Sequence, residues 1–485
     1  MKSVLHAILF LLSLSATTGV ANDPKKKMNV LFISVDDMNN DLGCYGNTLV
    51  KSPNIDRLAS RGIAFSNSYC QFPLCNPSRS SVLTGMRPDR TRVFDLNYHF
   101  RQEIPDVVTL PQMFINNGYF VARVGKMYHY ANPGHIGTNG LDDRASWMER
   151  INPVGIDRSS LEPDLINYTP DRGLGTAMSF LSDRKGKDED HTDGKVATEV
   201  IKLLEQHMDK PFFIGAGFYK PHCPWIAPEK YFDLYRIDDM KLPEISDETP
   251  SNYPEQSLAG TIPWPYFGIN PDNARECKLA YFATISYIDS QIGRLLEAID
   301  SLGLANNTII VLWSDHGYHL GEHGLWHKRS CFEESAKCPL IISVPGLKSN
   351  GKICQRIVEL IDIYPTLAEL TNISTPETVD GRSLLPLLNN PDVKWKYPAF
   401  TQFQGEDISG HSVRTERWRY TEWDYGNSGI ELYDQKKDQQ ELKNLAHNPK
   451  YASVVKQMKA SLKKNHPELV SGGKAIANTK EKYSN

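Results

Sequence analysis

The chain has 485 residues, 40% hydrophobic and 23% charged, a composition that supports a large buried core and excludes a disordered or low-complexity protein. Its formal net charge of −4 gives no global pull on anions, so an anionic substrate has to be caught by a local cluster of Lys and Arg. No basic stripe with interleaved aromatics appears, which argues against nucleic acid as a main partner.

The start of the chain reads as an export signal: Met1-Lys2 is basic, Val4 to Leu14 is largely apolar, and Gly19-Val20-Ala21 is small. The apolar run falls short of the roughly 20 residues a membrane helix needs. The expectation is therefore cleavage after residue 21, no stable membrane insertion afterwards, and a periplasmic, extracellular or lumenal location. Eight cysteines are present and none shows C-x-x-C zinc spacing.

Asn29 to Val35 is a nearly continuous apolar run, the pattern of a strand buried on both faces, and it ends in Asp36-Asp37. Two acids at the end of a buried parallel strand lie where open α/β sheets place ligands, and they repel each other unless a cation holds them. Ser52-Pro53-Asn54-Ile55-Asp56 opens a short helix. Next comes Cys75-Asn-Pro-Ser-Arg-Ser-Ser-Val-Leu-Thr-Gly85. Pro77 suits a first helical turn and Gly85 a stop, so Cys75 falls at a helix N-terminus, where amide N–H groups favour an anion. Arg79, one turn in, adds a planar fork for an oxyanion.

A helix is predicted over Pro105 to Gly118 and a strand over Tyr119 to Val124, which runs into Gly125-Lys126-Met127-Tyr128-His129. Residues 130–190 are rich in Gly, Pro, Asp and Asn and read as a long surface excursion. A helix at Lys195 to Gln206 precedes a strand at Pro211 to Phe218, which ends in Tyr219-Lys220-Pro221-His222. Apolar residues at steps of three and four mark a long helix from Cys277 to Leu302. The strand Asn307 to Trp313 then delivers Ser314-Asp315-His316-Gly317. His316, His319, His323 and His327 fall at helical intervals, but Gly317, Gly321 and Gly324 argue against a continuous helix and a zinc site on it. A strand at Pro339 to Val344 and a helix at Arg356 to Thr371 follow. From Pro398 the texture changes to short aromatic-rich strands, 400–403, 412–415, 420–423 and 430–433, with a helix near Tyr451 to Lys463 and a loose tail.

The run from Cys75 to Gly85 resembles the signature C-x-P-S-R-x-x-x-L-T-G of the sulfatase family at every specified position. The similarity extends through Asp36-Asp37, Gly125-Lys126-x-x-His129, Lys220-Pro221-His222 and Ser314-Asp315-His316-Gly317, and is closest to the iduronate-2-sulfatase-like branch. It implies an alkaline-phosphatase-like α/β sandwich: a large, mostly parallel sheet between helices in a catalytic domain over residues 22–390, with a smaller antiparallel-sheet subdomain over 391–485. It also implies that a maturation enzyme oxidises Cys75 to formylglycine (3-oxoalanine), whose hydrate attacks sulfur. Calcium, with magnesium as the alternative, would be bound by Asp36, Asp37, Asp315, His316 and position 75. On the same resemblance Arg79, Lys126 and Lys328 neutralise the sulfate oxygens, His222 with Lys328 protonates the leaving alcohol, and His129 takes the last proton. The implied substrate is a sulfated polysaccharide or oligosaccharide. The alternative within the same superfamily is a phosphodiesterase or phosphonate monoester hydrolase. Loop position makes Tyr98, His99 and Arg101, or Tyr318 and Arg329, candidates for the sugar pocket, and the resemblance adds Lys220, beside His222, as a substrate-binding residue.

Overall fold

The computed structural model describes residues 27–246, 249–405 and 408–465. The expected export signal and the tail lie outside them. The main sheet has eight strands: β1 Asn29–Asp36, β2 Ile63–Tyr69, β3 Phe120–Gly125, β4 Glu149–Ile151, β5 Phe212–Pro221, β6 Thr308–Ser314, β7 Leu340–Ser343 and β8 Lys352–Glu359. Their order across the sheet is β8-β2-β7-β6-β1-β5-β3-β4. β7 is antiparallel to both its neighbours, and the other pairs are parallel. β1 is buried at every position because it lies inside the sheet with helices over both faces, which is why its sequence is an unbroken apolar run.

The pleat sorts the core into two layers. Leu31, Ile33 and Val35 pack with α1 (Pro53–Ser60), α4 (Thr192–His207) and α5 (Pro271–Ser301). Val30 and Phe32 face the other way, against α2 (Cys75–Thr84), α3 (Leu110–Asn116) and α6 (Ile363–Leu370). Beyond them, β9 (Ala399–Gln404), β10 (Ser409–Arg414), β11 (Trp418–Trp423) and β12 (Ile430–Asp434) form an antiparallel meander. Its apolar face, Phe400, Val413, Tyr420 and Leu432, is covered by Met458 and Leu462 of α7 (Ala452–Asn465).

Three local expectations are corrected. The helix expected from Arg356 begins only at Ile363, because Ile353, Ile357 and Val358 belong to the edge strand β8, which pairs with β2. The helix expected from Pro105 starts at Leu110, where Thr109 and Gln112 form a reciprocal capping box. The excursion carries structure of its own: besides β4, Ser179–Asp183 pairs with Ile166–Asn167 on one side and Trp225–Pro228 on the other.

Candidate active site

Four parallel strands deliver chemistry at their carboxyl ends: β1 gives Asp36 and Asp37, β3 leads to Lys126, β5 to His222, and β6 to Asp315 and His316. The pairing of β1 with β5 slips between Val35 and Asp36, and Asp37 takes φ 65°, a left-handed conformation costly for a residue with a Cβ. Two contacts hold it there: the Asp37 amide donates to Asp315 Oδ1 at 3.1 Å, and the Tyr281 hydroxyl on α5 donates to the Asp37 carbonyl at 2.7 Å.

Cys75 opens α2, every residue of which is buried. Gly85 ends the helix at φ 70°, and a Cβ there would meet Tyr364 at 2.6 Å. The Cys75 Sγ lies 3.4 Å from His316 Nε2, 3.5 Å from Lys328 Nζ and 3.8 Å from Asp37 Oδ1. Burial, and then Asp36, push the thiol pKa up. Lys328 Nζ also touches Asp37 Oδ1 at 2.5 Å, so an ammonium already sits between the two groups. Ligand atoms of Asp36, Asp37, Cys75 and His222 lie within 4.8 Å of one another, as do those of Cys75, Asp315 and His316.

Two imidazoles have their tautomers set from behind. His316 Nδ1 is 2.9 Å from the Gly317 carbonyl and His222 Nδ1 is 2.7 Å from the Cys223 carbonyl. Each therefore donates from Nδ1, which fixes the ring with Nε2 facing Asp37, at 3.4 and 3.8 Å respectively. Burial and then Lys328 hold His222 well below its ordinary pKa. Burial and then Lys126 do the same to His129, whose Nδ1 has no hydrogen-bond partner.

Arg79 and Lys126 sit elsewhere than expected. Both are fully buried, one layer behind the cavity wall. Arg79 Nε reaches Asp315 at 2.9 Å, Nη2 reaches Asp36 at 3.0 Å, and Nη1 donates to the Lys126 carbonyl at 2.7 Å. Lys126 Nζ reaches Asp36 at 2.6 Å. Burial pushes the Asp36 carboxyl up, but Lys126 and Arg79 overturn this and hold it well below the carboxylate range. In this structure the two cations neutralise the carboxylates, whereas the expectation had them facing sulfate oxygens.

A cavity of about 1450 Å³ opens over Asp37, Cys75, His129, His222 and Lys328. Of the residues suggested for a sugar pocket, Arg329 lines it. The others are committed elsewhere. Arg101 forms a two-point ion pair with Asp143 at 2.8 Å, Tyr98 donates to Glu103 at 2.7 Å, and His99 stacks on Phe100 at 4.6 Å. Lys220 Nζ donates to the Pro224 carbonyl at 2.7 Å, and Tyr318 is buried in a stack on Tyr281 at 4.9 Å. The histidines after His316 share no helix: His319 and His327 pair across a hairpin, and His319 Nε2 meets Ser330 Oγ at 2.8 Å. Sequence reasoning missed Tyr281, Asn132 and Arg172. Asn132 Nδ2 donates to the Cys223 carbonyl at 3.2 Å on the cavity wall. Nothing local in the sequence marks any of the three.

The family model described as Sulfatase matches residues 28–373, and one described as N-sulphoglucosamine sulphohydrolase, C-terminal, matches residues 321–468. Iduronate 2-sulfatase of Homo sapiens is 35% identical over 479 residues, with 83% of this chain and 86% of the relative covered. A sulfatase of Formosa agariphila is 31% identical over 495 residues, covering 96% and 93%. The solved phosphonate monoester hydrolase of Agrobacterium radiobacter superposes with a TM-score of 0.77 at 22% identity, covering 91% of this chain and 96% of that one, which is a likeness of fold. No helix among the described residues is long and apolar enough to cross a membrane. The matched family model spans most of the chain, the relatives are similar over nearly their whole length, and Asp36, Asp37, His222, Asp315 and His316 gather around Cys75, which lines the cavity: the chain belongs to the sulfatase family and is a sulfuric ester hydrolase.

Proposed function

We propose that the chain, exported and divided near residue 390 into catalytic domain and C-terminal subdomain, removes sulfate from an anionic polysaccharide or its oligosaccharides. Position 75 acts after a maturation enzyme has converted the cysteine to formylglycine. A divalent cation, calcium with magnesium as the alternative, is held by Asp36, Asp37, Asp315 and His316 beside position 75. The observation that carries this reading is the meeting of Cys75 Sγ with His316 Nε2, Asp37 and Lys328 inside 3.8 Å at the cavity floor. The donor set fits a hard cation: three buried carboxylates, one imidazole with its Nε2 fixed toward them, and a lysine ammonium lodged among them as a cation would be.

When bound, the ion polarises the sulfate and acidifies the hydroxyl at position 75, and the hydrated aldehyde supplies that hydroxyl as the nucleophile toward sulfur. The protein's own groups prepare the rest. Arg79 and Lys126 keep Asp36 ionised from behind. Lys328 stands beside position 75, where it meets a non-bridging ester oxygen, a preorganised charge of the sort that stabilises developing negative charge. His222 is neutral in the resting site and accepts at Nε2. The negative charge of an entering ester raises its pKa, so it takes up with substrate the proton that it gives to the leaving alcohol. His129, also neutral, is a base for the proton left on position 75.

Peptide mass spectrometry across Cys75, on protein matured with its modifying enzyme, tests this together with sulfate release from a panel of sulfated sugars. The expected result is loss of the thiol mass in favour of the aldehyde and release that Cys75→Ala abolishes. An intact thiol in fully matured protein, with no sulfate released and phosphonate or phosphate esters hydrolysed instead, overturns it.

A further inference from the structure

The cavity wall is more basic than the chain. Among the described residues Arg92, Arg158, Arg172 and Arg329 all line it, and no carboxylate lies within ion-pair distance of any of them. Most other arginines, such as Arg61, Arg87 and Arg101, do have such a partner. Three of the four lie over aromatic faces, Arg92 at 5.3 Å over the Phe94 ring among them. Arg172 lies 3.8 Å over the Phe267 ring, and Arg329 lies 5.7 Å over Phe403, itself a wall residue. His327 links them: its ring is 5.0 Å from Phe267, and it stands two positions before Arg329 in a turn where both take left-handed φ, 69° and 79°. Arg172 spends Nε on the Thr176 carbonyl at 2.9 Å and Nη1 on the Ile262 carbonyl at 3.5 Å, which leaves Nη2 uncommitted. The acids on the wall do not answer this charge. Asp37 is paired with Lys328, and Asp95 accepts from the Asn97 and Tyr98 amides at 2.7 and 2.8 Å, leaving Glu162. Burial lowers the pKa of both Arg172 and Arg329; at Arg172 Cys223 opposes this and the charge of Arg329 adds to it.

We infer that Arg172 and Arg329 form an anion subsite beside the scissile-ester position, which selects sugars carrying a second negative group, a carboxylate or another sulfate. The inference rests on the proposed sulfated-glycan substrate and names its charge pattern. A guanidinium fork held by a ring face offers two parallel N–H donors to such a group, a geometry a lysine reproduces only in part.

Calorimetric binding to the Cys75→Ala protein tests this, with turnover by the matured enzyme measured on the same ligands. The probes are a monosulfated uronate disaccharide, its carboxyl-reduced counterpart, and that counterpart with a second sulfate. The doubly charged ligands should bind about tenfold or more tighter than the singly charged one. R172Q and R329Q should each bring that ratio close to one, while R172K and R329K keep part of it and report on folding. Preference for one doubly charged ligand alone identifies whether carboxylate or sulfate is read. A ratio near one in the parent protein, or one that survives both glutamine variants, overturns the inference. Sulfate release without charge preference overturns it and leaves the proposed function standing. Charge-dependent binding with no release from any ligand does the opposite.

Discussion

Two clusters of buried charge in this molecule look alike on paper and differ in what they are for. In the first, Arg79 bridges Asp36 and Asp315 beneath the cavity, with Lys126 on Asp36 and Lys328 on Asp37. In the second, Arg414 and Arg419 of the small sheet meet Glu333, from the segment before β7. Arg419 Nε also reaches Glu441 at 2.6 Å, and Tyr69 at the end of β2 donates to Glu333 at 2.6 Å. All of these side chains are nearly inaccessible to water. The second cluster is closed, with every polar group of those five residues partnered, and it ties the small sheet to the large one. The first opens on a cavity beside an unpartnered His129 Nδ1 and His327 Nε2, and stands on a left-handed Asp37. Burial of charge therefore does not by itself mark function, and neither does backbone strain, since Glu441 of the closed cluster is also left-handed at φ 54°; unspent lone pairs beside an open wall do.

The sharpest way to break the comparison is to remove one member of each cluster and ask what is lost. Cys75→Ala should abolish sulfate release while leaving the thermal midpoint nearly unchanged, because the thiol has no strong hydrogen-bond partner to orphan. A chelator should abolish release in the same way, with recovery on adding calcium, if the carboxylate cage holds an ion. His129→Ala should cost about 10²- to 10⁴-fold in kcat, the range for a general base. The same histidine variant should leave urea stability close to the parent.

The closed cluster should behave in the reverse sense. Glu333→Gln leaves two guanidiniums short of charge and should cost about 3–5 kcal/mol in urea unfolding. Sulfate release per folded molecule should change little. The pH profile of stability gives a smaller and signed effect. Burial pushes the Glu333 carboxyl up, but Arg414 and Arg419 overturn this and hold it well below the carboxylate range. Its contribution is then complete above the unfolded value of about 4.3 and is lost as pH falls toward the folded one. The urea midpoint should drop below about pH 4, and E333Q should lack that part of the slope. Glu441 is pushed up by burial against the pull of Arg419, so its contribution runs the other way and fades as pH rises above the unfolded value. E441Q should remove that loss, so the two variants tilt the profile in opposite directions.

Much of the site was legible before any coordinates, and for local reasons. A strand buried on both faces has to be an apolar run, so β1, β5 and β6 announce themselves, and the polar residues that end them, Asp36-Asp37, Lys220 to His222 and Asp315-His316, fall where such sheets hold ligands. Pro77 and Gly85 bracket α2 because one suits a first turn and the other a left-handed stop. β2, whose apolar run is broken by Ser66, Asn67 and Ser68, and the half-exposed edge strand β8 lack that continuous signal.

Which residue stands in front of which was decided by the tertiary structure alone. The helix start put Arg79 at the site and the family resemblance put Lys126 there, and packing put both behind Asp36. Loop position made Arg101 a wall candidate, and an ion pair with Asp143 turned it away. Arg172, from an excursion without periodicity, was brought to the wall on the face of Phe267. The reason is reach: periodicity reports which face of one element is buried, a property of near neighbours. The contact of Lys328 with Asp37 joins residues 291 positions apart, and no local pattern encodes it.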